Sequence, residues 1–149
     1  MTYRHIQSSR WTWSISAAGL VGLIWVVVSP AATSGATVLA TASFVLLIAT
    51  GAVISRLTST VDGHTVSAAF GWGWPRRTIA LEEIVGVRKL RNSWWHGWGI
   101  RKVSRGWMYN IAGYDAVELE LRGSRVFRIG TDEPDALLDA IDRARGQID

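Results

Sequence analysis

The sequence predicts a membrane protein in which a two-helix N-terminal transmembrane hairpin precedes a small α+β domain of about seven antiparallel strands and one C-terminal helix. Three observations support this fold class. The residues between Trp11 and Ser55 include no charged side chain and no histidine. From Leu57 onward, apolar and polar residues alternate, which is typical of half-buried strands. Near the end of the chain the apolar residues return to helical spacing.

The uncharged run contains two apolar segments separated by turn residues. Residues 11–28 number 18 and residues 36–55 number 20, so each segment is about long enough to cross a hydrocarbon core of roughly 30 Å as a helix. We therefore predict a tail over residues 1–10, transmembrane helices over 11–28 and 36–55, and a soluble domain over 58–147.

Basic residues flank both apolar segments. Arg4 and Arg10 precede the first and Arg56 follows the second, whereas the connection between the segments carries no charge. Since basic residues near a span tend to stay in the cytoplasm, we predict a multi-pass protein of the cell membrane with its N-terminus and its C-terminal domain both cytoplasmic. A cleavable signal peptide is the alternative for the first segment, but its length and the second apolar segment close behind it favour a hairpin.

Turn signals separate the predicted strands of the soluble domain. Asp62-Gly63 marks a tight turn between the first two strands, and a Gly- and Trp-rich loop over residues 92–105 interrupts the later ones. In the sixth strand, Glu118 is predicted to face outward, opposite Val117 and Leu119. The predicted strands cover residues 57–61, 65–70, 77–81, 84–90, 107–111, 116–121 and 125–129.

One helix ends the predicted domain. The segment 131–134 provides capping and early acidic side chains, and its Pro134 belongs to a residue type favoured in a first helical turn. Leu137, Leu138 and Ile141 then recur at helical spacing, which predicts an amphipathic helix packed on the strands.

Three stretches of the domain carry a family resemblance. They are FGWGWPRRTIALEEIVGV, NSWWHGWGIRKVSRGWMYNIAG and DAVELELRGSRVFRIGTDEPDALLDAI. Together they resemble bacterial pleckstrin-homology-like (PH-like) domain proteins that join a short membrane hairpin to one such domain. The resemblance covers residues 58–144 and implies a PH-like fold in a membrane setting, but no shared chemistry. Strand counting agrees with that fold and also permits other small barrels.

Charge divides the domain into a basic and an acidic half. Residues 71–110 carry eight basic and two acidic residues, whereas residues 111–149 carry five basic and nine acidic ones. The whole chain has a formal net charge of +4 and no cysteine. The near balance of charge within the domain disfavours nucleic-acid binding, and the lack of cysteine excludes disulfides, thiolate chemistry and cysteine-based metal sites.

Two segments combine tryptophan with basic residues and are the candidate membrane-interface or lipid-binding sites. Trp favours the headgroup region of a bilayer, and a basic residue near an anionic leaflet contributes on the order of 1 kcal/mol. Within the loop 91–109 the candidates are Trp94, Trp95, Trp98, Arg101, Lys102, Arg105 and Trp107. Around the turn after the second strand they are Trp72, Trp74, Arg76 and Arg77. The alternative is that these Trp side chains fill the core or pack on a sheet face.

Other kinds of site find little support in the sequence. His5, His64 and His96 lie far apart without a ligand spacing, so we predict no metal site. No glycine-rich phosphate loop or nucleophile motif occurs, so we predict no catalytic residue and no cofactor. The first hairpin turn, Asp62-Gly63-His64, lacks the basic residues with which lipid-binding PH domains hold a headgroup, so inositol-phosphate recognition there is not expected.

These features predict a non-catalytic, membrane-anchored PH-like module that acts in protein interaction or assembly at the cytoplasmic face of the membrane. Its expected partners are membrane lipids and either a protein partner or a second copy of the chain, with no nucleic acid and no metal. The alternative function is anionic lipid headgroup binding through the basic, Trp-rich loop 91–109.

Overall fold

The computed structural model describes residues 3–9, 11–29, 33–93 and 97–147. In these residues the chain forms a small α+β fold with two N-terminal helices, two β-sheets and a C-terminal helix. The helices are α1 (Trp11–Val28), α2 (Ser34–Ile54) and α3 (Pro134–Arg145). The strands are β1 (Tyr3–Ser8), β2 (Arg56–Val61), β3 (Thr65–Phe70), β4 (Arg76–Ala80), β5 (Ile84–Arg91), β6 (Gly99–Val103), β7 (Gly106–Asn110), β8 (Asp115–Leu121) and β9 (Arg125–Gly130).

Two sheets and one helix enclose the core of the domain. The first sheet has the strand order β1-β2-β3-β4, and the second has the order β5-β8-β9-β7-β6. Neighbouring strands are antiparallel except β7 and β9, which are parallel. Leu57, Phe70 and Leu119 from the sheets are buried together with Leu137 and Ile141 from α3. The helical spacing seen at the end of the sequence therefore correctly places α3 against the strands.

The segment before α1 is a strand of the first sheet. The sequence predicted a tail over residues 1–10, whereas β1 pairs in antiparallel register with β2 along its whole length of six residues. The backbone N–H of Ser9 extends this ladder by donating to the carbonyl of Ser55 at 2.9 Å. The segment is mostly polar, so its alternation is too weak to predict a strand, and it forms one because β2 offers a free edge. The domain is thus built from both sides of the helical hairpin.

A second unpredicted strand lies inside the predicted loop 92–105. β6 forms a hairpin with β7 and is an edge strand of the second sheet. It begins at Gly99, which has a φ of 98°, and its Arg101 and Lys102 are exposed, so no apolar alternation marks it in the sequence. With β1 and β6, the described residues contain nine strands.

The two N-terminal helices pack against each other. They approach closely at Gly19, where an added Cβ would lie 2.6 Å from a side-chain carbon of Leu47. Within the described residues, one helix is long and apolar enough to cross a membrane, and its qualifying window is Ser34–Gly51 of α2. The apolar part of α1, Ser16–Val28, is shorter. The structure thus contains one candidate span, and the two-span topology stays a prediction.

The outer face of the second sheet is less exposed than its sequence pattern predicts. Val117 and Leu119 lie in the core as expected, but Glu118, predicted to face outward, is only 1% exposed. Its register neighbours across the sheet are Arg88 on β5 and Arg128 on β9. A carboxylate is tolerated in this buried position because two guanidinium groups neutralise it.

Candidate membrane-facing site

The turn between β3 and β4 is tied to the base of the helical hairpin. The N–H of Gly71 donates to the carbonyl of Arg56, the first residue of β2 after α2, at 2.9 Å. The N–H of Gly73 donates to the carbonyl of Phe70 at 2.8 Å. Gly71 and Gly73 have φ values of 49° and 110°, which glycine adopts without strain. This turn, which we call the WGW turn (residues 71–75), therefore projects from the end of the first sheet nearest to α1 and α2, here named the hairpin end.

Both tryptophans of the WGW turn are exposed. Trp72 is 92% exposed and Trp74 is 77% exposed, so the alternative that they fill the core or pack on a sheet face is wrong for this pair. Arg76 and Arg77, the first residues of β4, are exposed beside them. Large apolar rings next to cations match the composition of a bilayer interface better than that of an ordinary water-facing surface.

A groove joins the start of β4 to the second sheet. Its volume is about 230 Å³, and its lining includes Arg77 from β4, Ile100 from β6, Trp107 from β7 and Arg125 from β9. Trp107 is 50% exposed and Ile100 is 40% exposed. The structure thus brings the predicted candidates Arg77 and Trp107 together and adds Ile100 and Arg125. No local pattern identifies Arg125, because it reaches the groove only through the pairing of β9 with β7.

β6 and β7 lie toward the hairpin end of the domain. The ring of Phe70, the last residue of β3, lies 5.1 Å from the ring of Tyr109 on β7, measured between centroids. β5 is at the opposite side of the second sheet, where it packs against α3. The hairpin end therefore carries the WGW turn, and the groove runs from Arg77 near this end to Arg125, which lies 3.8 Å from Glu83 in the turn at the other end of β4.

The remaining candidates of the loop 91–109 do not form one patch with the groove. Arg101 is exposed on β6 and donates from its Nε to the carbonyl of Trp98, which is itself 43% exposed. Trp94 and Trp95 lie outside the described residues. Apart from Trp107, the part of this loop that the structure describes therefore presents one exposed tryptophan, Trp98, with Arg101 packed back along its own chain.

Lys102 and Arg105 occupy different parts of the β6–β7 hairpin. Lys102 is exposed and lies opposite Trp107 in the strand register, on the same face as the groove. Arg105 lies in the turn between the two strands and lines a separate depression with Arg122 and Arg125. Of these two, Lys102 is the one placed to act together with Trp107.

A buried ion-pair network, which the sequence did not predict, crosses the outer face of the second sheet. One oxygen of Glu118 accepts from Arg88 Nε at 2.8 Å, and the other accepts from Arg128 Nε. Burial raises the pKa of Glu118, but the hydrogen bonds and charges of Arg128 and Arg88 outweigh this effect and leave that pKa below its ordinary value. A carboxylate held ionised in this way stabilises the sheet and is poorly suited to proton transfer at neutral pH.

Two other polar clusters have structural roles. Asp62 Oδ1 accepts from the backbone N–H groups of His64 at 2.9 Å and Thr65 at 2.7 Å, which closes the β2–β3 turn and lowers the pKa of Asp62. His5 Nε2 lies 2.7 Å from Asp132 Oδ1, which links β1 to the segment before α3. In the part of the chain that the structure describes, no cluster of three His, Asp or Glu residues is placed to hold a metal ion.

No family model matches the chain, and no curated protein matches it significantly. The function of the chain is therefore inferred from the geometry of its domain, above all at the hairpin end.

Proposed function

We propose that this chain is a non-catalytic, membrane-anchored PH-like module that acts in protein interaction or assembly at the cytoplasmic face of a membrane. The observation that supports this proposal best is the pairing of β1 with β2, the strands on either side of the helical hairpin. Two residues separate Ser8 from Trp11, and one separates Ile54 from Arg56. Connections this short give the domain no flexible linker, so a bilayer that holds α1 and α2 also holds the domain against its surface.

The side of the domain remote from the hairpin end is the surface available to a protein partner. α3 lies there, with Asp139 and Asp142 exposed on its outer face. Lys89 of β5 pairs with Asp135 of α3 at 2.8 Å, so the charge of Asp135 is balanced within the domain. The remote side is therefore a surface of mixed charge, on which Asp139 and Asp142 lie beside Arg143, and a partner with complementary charges is the expected match.

Anionic lipid headgroup binding is a second candidate function, favoured by the exposure of Trp72 and Trp74. In this version the contacts come from the WGW turn with Arg76 and Arg77, and from Lys102 and Trp107 beside the groove. Each basic residue near an anionic leaflet contributes on the order of 1 kcal/mol, and the tryptophans set the depth at which the domain sits.

The anchored topology is tested by single-cysteine labelling, since the native chain has no cysteine to remove. S34C, at the start of α2, should react with a membrane-impermeant maleimide in intact cells. D139C, exposed on α3, should react only after lysis. Labelling of D139C in intact cells would place the domain outside and contradict the proposal.

The interaction function is tested by site-specific photo-crosslinking in cells. A crosslinking residue in place of Asp142 should give a discrete protein adduct, and the same residue in place of Val21 of α1 is the control for nonspecific capture. A scan of the exposed positions on the remote side that yields no adduct above the level of the Val21 control would contradict the interaction function.

The lipid function is tested with an environment-sensitive fluorophore on the full chain in nanodiscs. A label on W72C should be quenched strongly by spin-labelled lipid. A label on E82C, in the exposed turn at the other end of β4, should be quenched little. Salt-sensitive quenching that appears only with anionic lipid and weakens in the R76A/R77A background supports headgroup binding. Equal quenching at both positions contradicts it.

A further inference from the structure

The outer edge of β4 lies beside the groove between the two sheets. β4 is the last strand of the first sheet, and among the described residues it pairs with β3 alone. The N–H of Phe70 donates to the carbonyl of Pro75, and the N–H of Leu81 donates to the carbonyl of His64. Since hydrogen-bonded pairs alternate along an antiparallel ladder, the odd-numbered residues of β4 bond to β3 and the even-numbered ones point their backbone groups outward. The outward-pointing residues are Arg76, Thr78 and Ala80.

The inner faces of the two sheets are uncovered at this corner of the domain. The second sheet has five strands and the first has four, and Ile100 and Trp107 on β6 and β7 are half-exposed. Arg77 occupies an inward position on β4, because it lies opposite the buried Ala68 and two residues before the buried Ile79, yet it is exposed. A further strand beside β4 would therefore cover Ile100 and Trp107 and close this side of the core.

The groove beside β4 carries positive charge. Arg77 and Arg125 line it, and Lys102 lies on the same face, opposite Trp107 in the strand register. Glu83 lies 3.8 Å from Arg125 and balances part of its charge. Within the described part of the chain, neither Arg77 nor Lys102 has a salt-bridge partner, and the groove lining includes no acidic side chain. An acidic side chain on an occupant would supply the counter-charge near Arg77.

These features favour an extended peptide over a lipid or a second copy of the chain. A lipid has no regular series of N–H and C=O groups to pair with the edge of β4. A second copy pairing through its own β4 would add another Arg76 and Arg77 to an edge that is already positive. We propose that the edge of β4 and the groove bind an acidic, apolar segment of a partner protein as an added β-strand, with its apolar side chain on Trp107 and Ile100. The proposal rests on the protein-interaction function and gives it a second surface.

The direct test is binding of the blocked peptide N-acetyl-Thr-Glu-Thr-Val-Thr-Glu-Thr-amide to the full chain in phosphatidylcholine nanodiscs, followed by the anisotropy of an uncharged fluorophore on the peptide. Its acidic and apolar side chains share one face of a strand. It should bind saturably, whereas the counterpart with Lys in place of Glu should not. The absence of saturable binding overturns the proposal, and photo-crosslinking of the remote side then decides the interaction function separately. Absent peptide binding together with quenching of a W107C label by spin-labelled phosphatidylserine would assign the groove to lipid instead.

N-methylation tests whether the peptide backbone pairs with β4. Alternate residues of a strand direct their N–H groups to opposite edges. Methylating the amides of the threonines and methylating those of the Glu and Val residues therefore block opposite edges of the peptide. One methylated peptide should lose binding and the other should keep it. Equal affinities of the two methylated peptides would overturn strand addition.

Two variants locate the binding edge on the chain. T78P removes an outward-pointing N–H that β3 does not use, so the fold should tolerate it, and the acidic peptide should bind at least ~10-fold more weakly. Arg77→Glu should weaken binding of the acidic peptide and permit binding of its Lys counterpart. R143E, the same charge change on α3, should bind as the native chain does. Unchanged affinity of either folded variant, T78P or R77E, for the acidic peptide overturns the proposal, and if T78P does not fold, the charge exchange at Arg77 decides.

Discussion

The carboxylate of Glu118 joins three strands, because it accepts hydrogen bonds from Arg88 on β5 and Arg128 on β9. Glu118→Gln should lower the free energy of unfolding by roughly 2 kcal/mol, since hydrogen bonds to charged groups contribute about 1.5–3 kcal/mol. The value is not larger because Arg88 is 56% exposed and keeps part of its hydration. Denaturant unfolding of the detergent-solubilised chain, followed by tryptophan fluorescence, measures it. Glu120→Gln, at a half-exposed neighbouring position, should lower the free energy of unfolding by less than about 0.5 kcal/mol. Equal effects of the two substitutions would mean that the hydrogen bonds of Glu118 to Arg88 and Arg128 do not stabilise the sheet.

The same carboxylate predicts a loss of stability in acid. The pKa of Glu118 is lowered in the folded protein from its ordinary value of 4.5. Its contribution to stability is therefore fully present above that value and is lost as the pH falls through the lower folded pKa. The difference in midpoint temperature between the native chain and E118Q should be constant near neutral pH and shrink in acid. A difference that grows on acidification would mean that Glu118 is protonated in the fold.

The local sequence pattern predicts on which face of a strand a residue lies, but it does not predict whether that residue is exposed. Alternation correctly placed Glu118 on the face opposite Val117, but its burial depends on Arg88 and Arg128, which are distant in sequence. For Trp72 the sequence left interface exposure and packing on a sheet face both open, and the positive φ values of Gly71 and Gly73 in the WGW turn accompany its full exposure. Arg125, by contrast, enters the groove only through the strand order of the second sheet.

Among the elements, the parallel pair β7–β9 depends on one glycine. A Cβ at Gly106 would overlap the carbonyl oxygen of Val126 on β9. Gly106→Ala should therefore destabilise the domain by roughly 2 kcal/mol, the range found for overpacked interiors. Gly63→Ala is the matched control, because an added Cβ there meets no atom within 4 Å. Equal unfolding midpoints for the two variants would show that β7 and β9 separate at little cost.

Strands with clear apolar alternation were predicted within a few residues, as for β2, β3, β8 and β9. β1 and β6 were missed for one shared reason. Each is an edge strand rich in polar residues, so its pairing is decided by a neighbouring strand and leaves little trace in its own sequence. α3 was predicted because the helical spacing of Leu137, Leu138 and Ile141 is a local signal, although its N-cap residue, Glu133, makes no side-chain capping hydrogen bond.

On the scale of the whole molecule, the helical hairpin is an insertion within the first sheet. β1 precedes α1 and β2 follows α2, yet the two strands are neighbours. A fragment that begins after the hairpin therefore lacks an edge strand, and α1 cannot separate from α2 without straining the ladder. The sequence could not reveal this closure, because it depends on a contact between residues separated by the entire hairpin.

This closure predicts that the chain survives a cut in the hairpin connection. A protease site inserted between Ser29 and Thr33, with an affinity tag at the N-terminus, allows cleavage of the detergent-solubilised chain. The N-terminal piece should stay bound to the rest, because six residues of β1 pair with β2 and α1 packs on α2 at Gly19. Deletion of residues 3–8 leaves the helix contact intact and should speed dissociation at least ~10-fold, since it removes a whole strand ladder. Equal dissociation rates with and without β1, measured by tag pull-down over time, would show that the strand does not hold the two halves together.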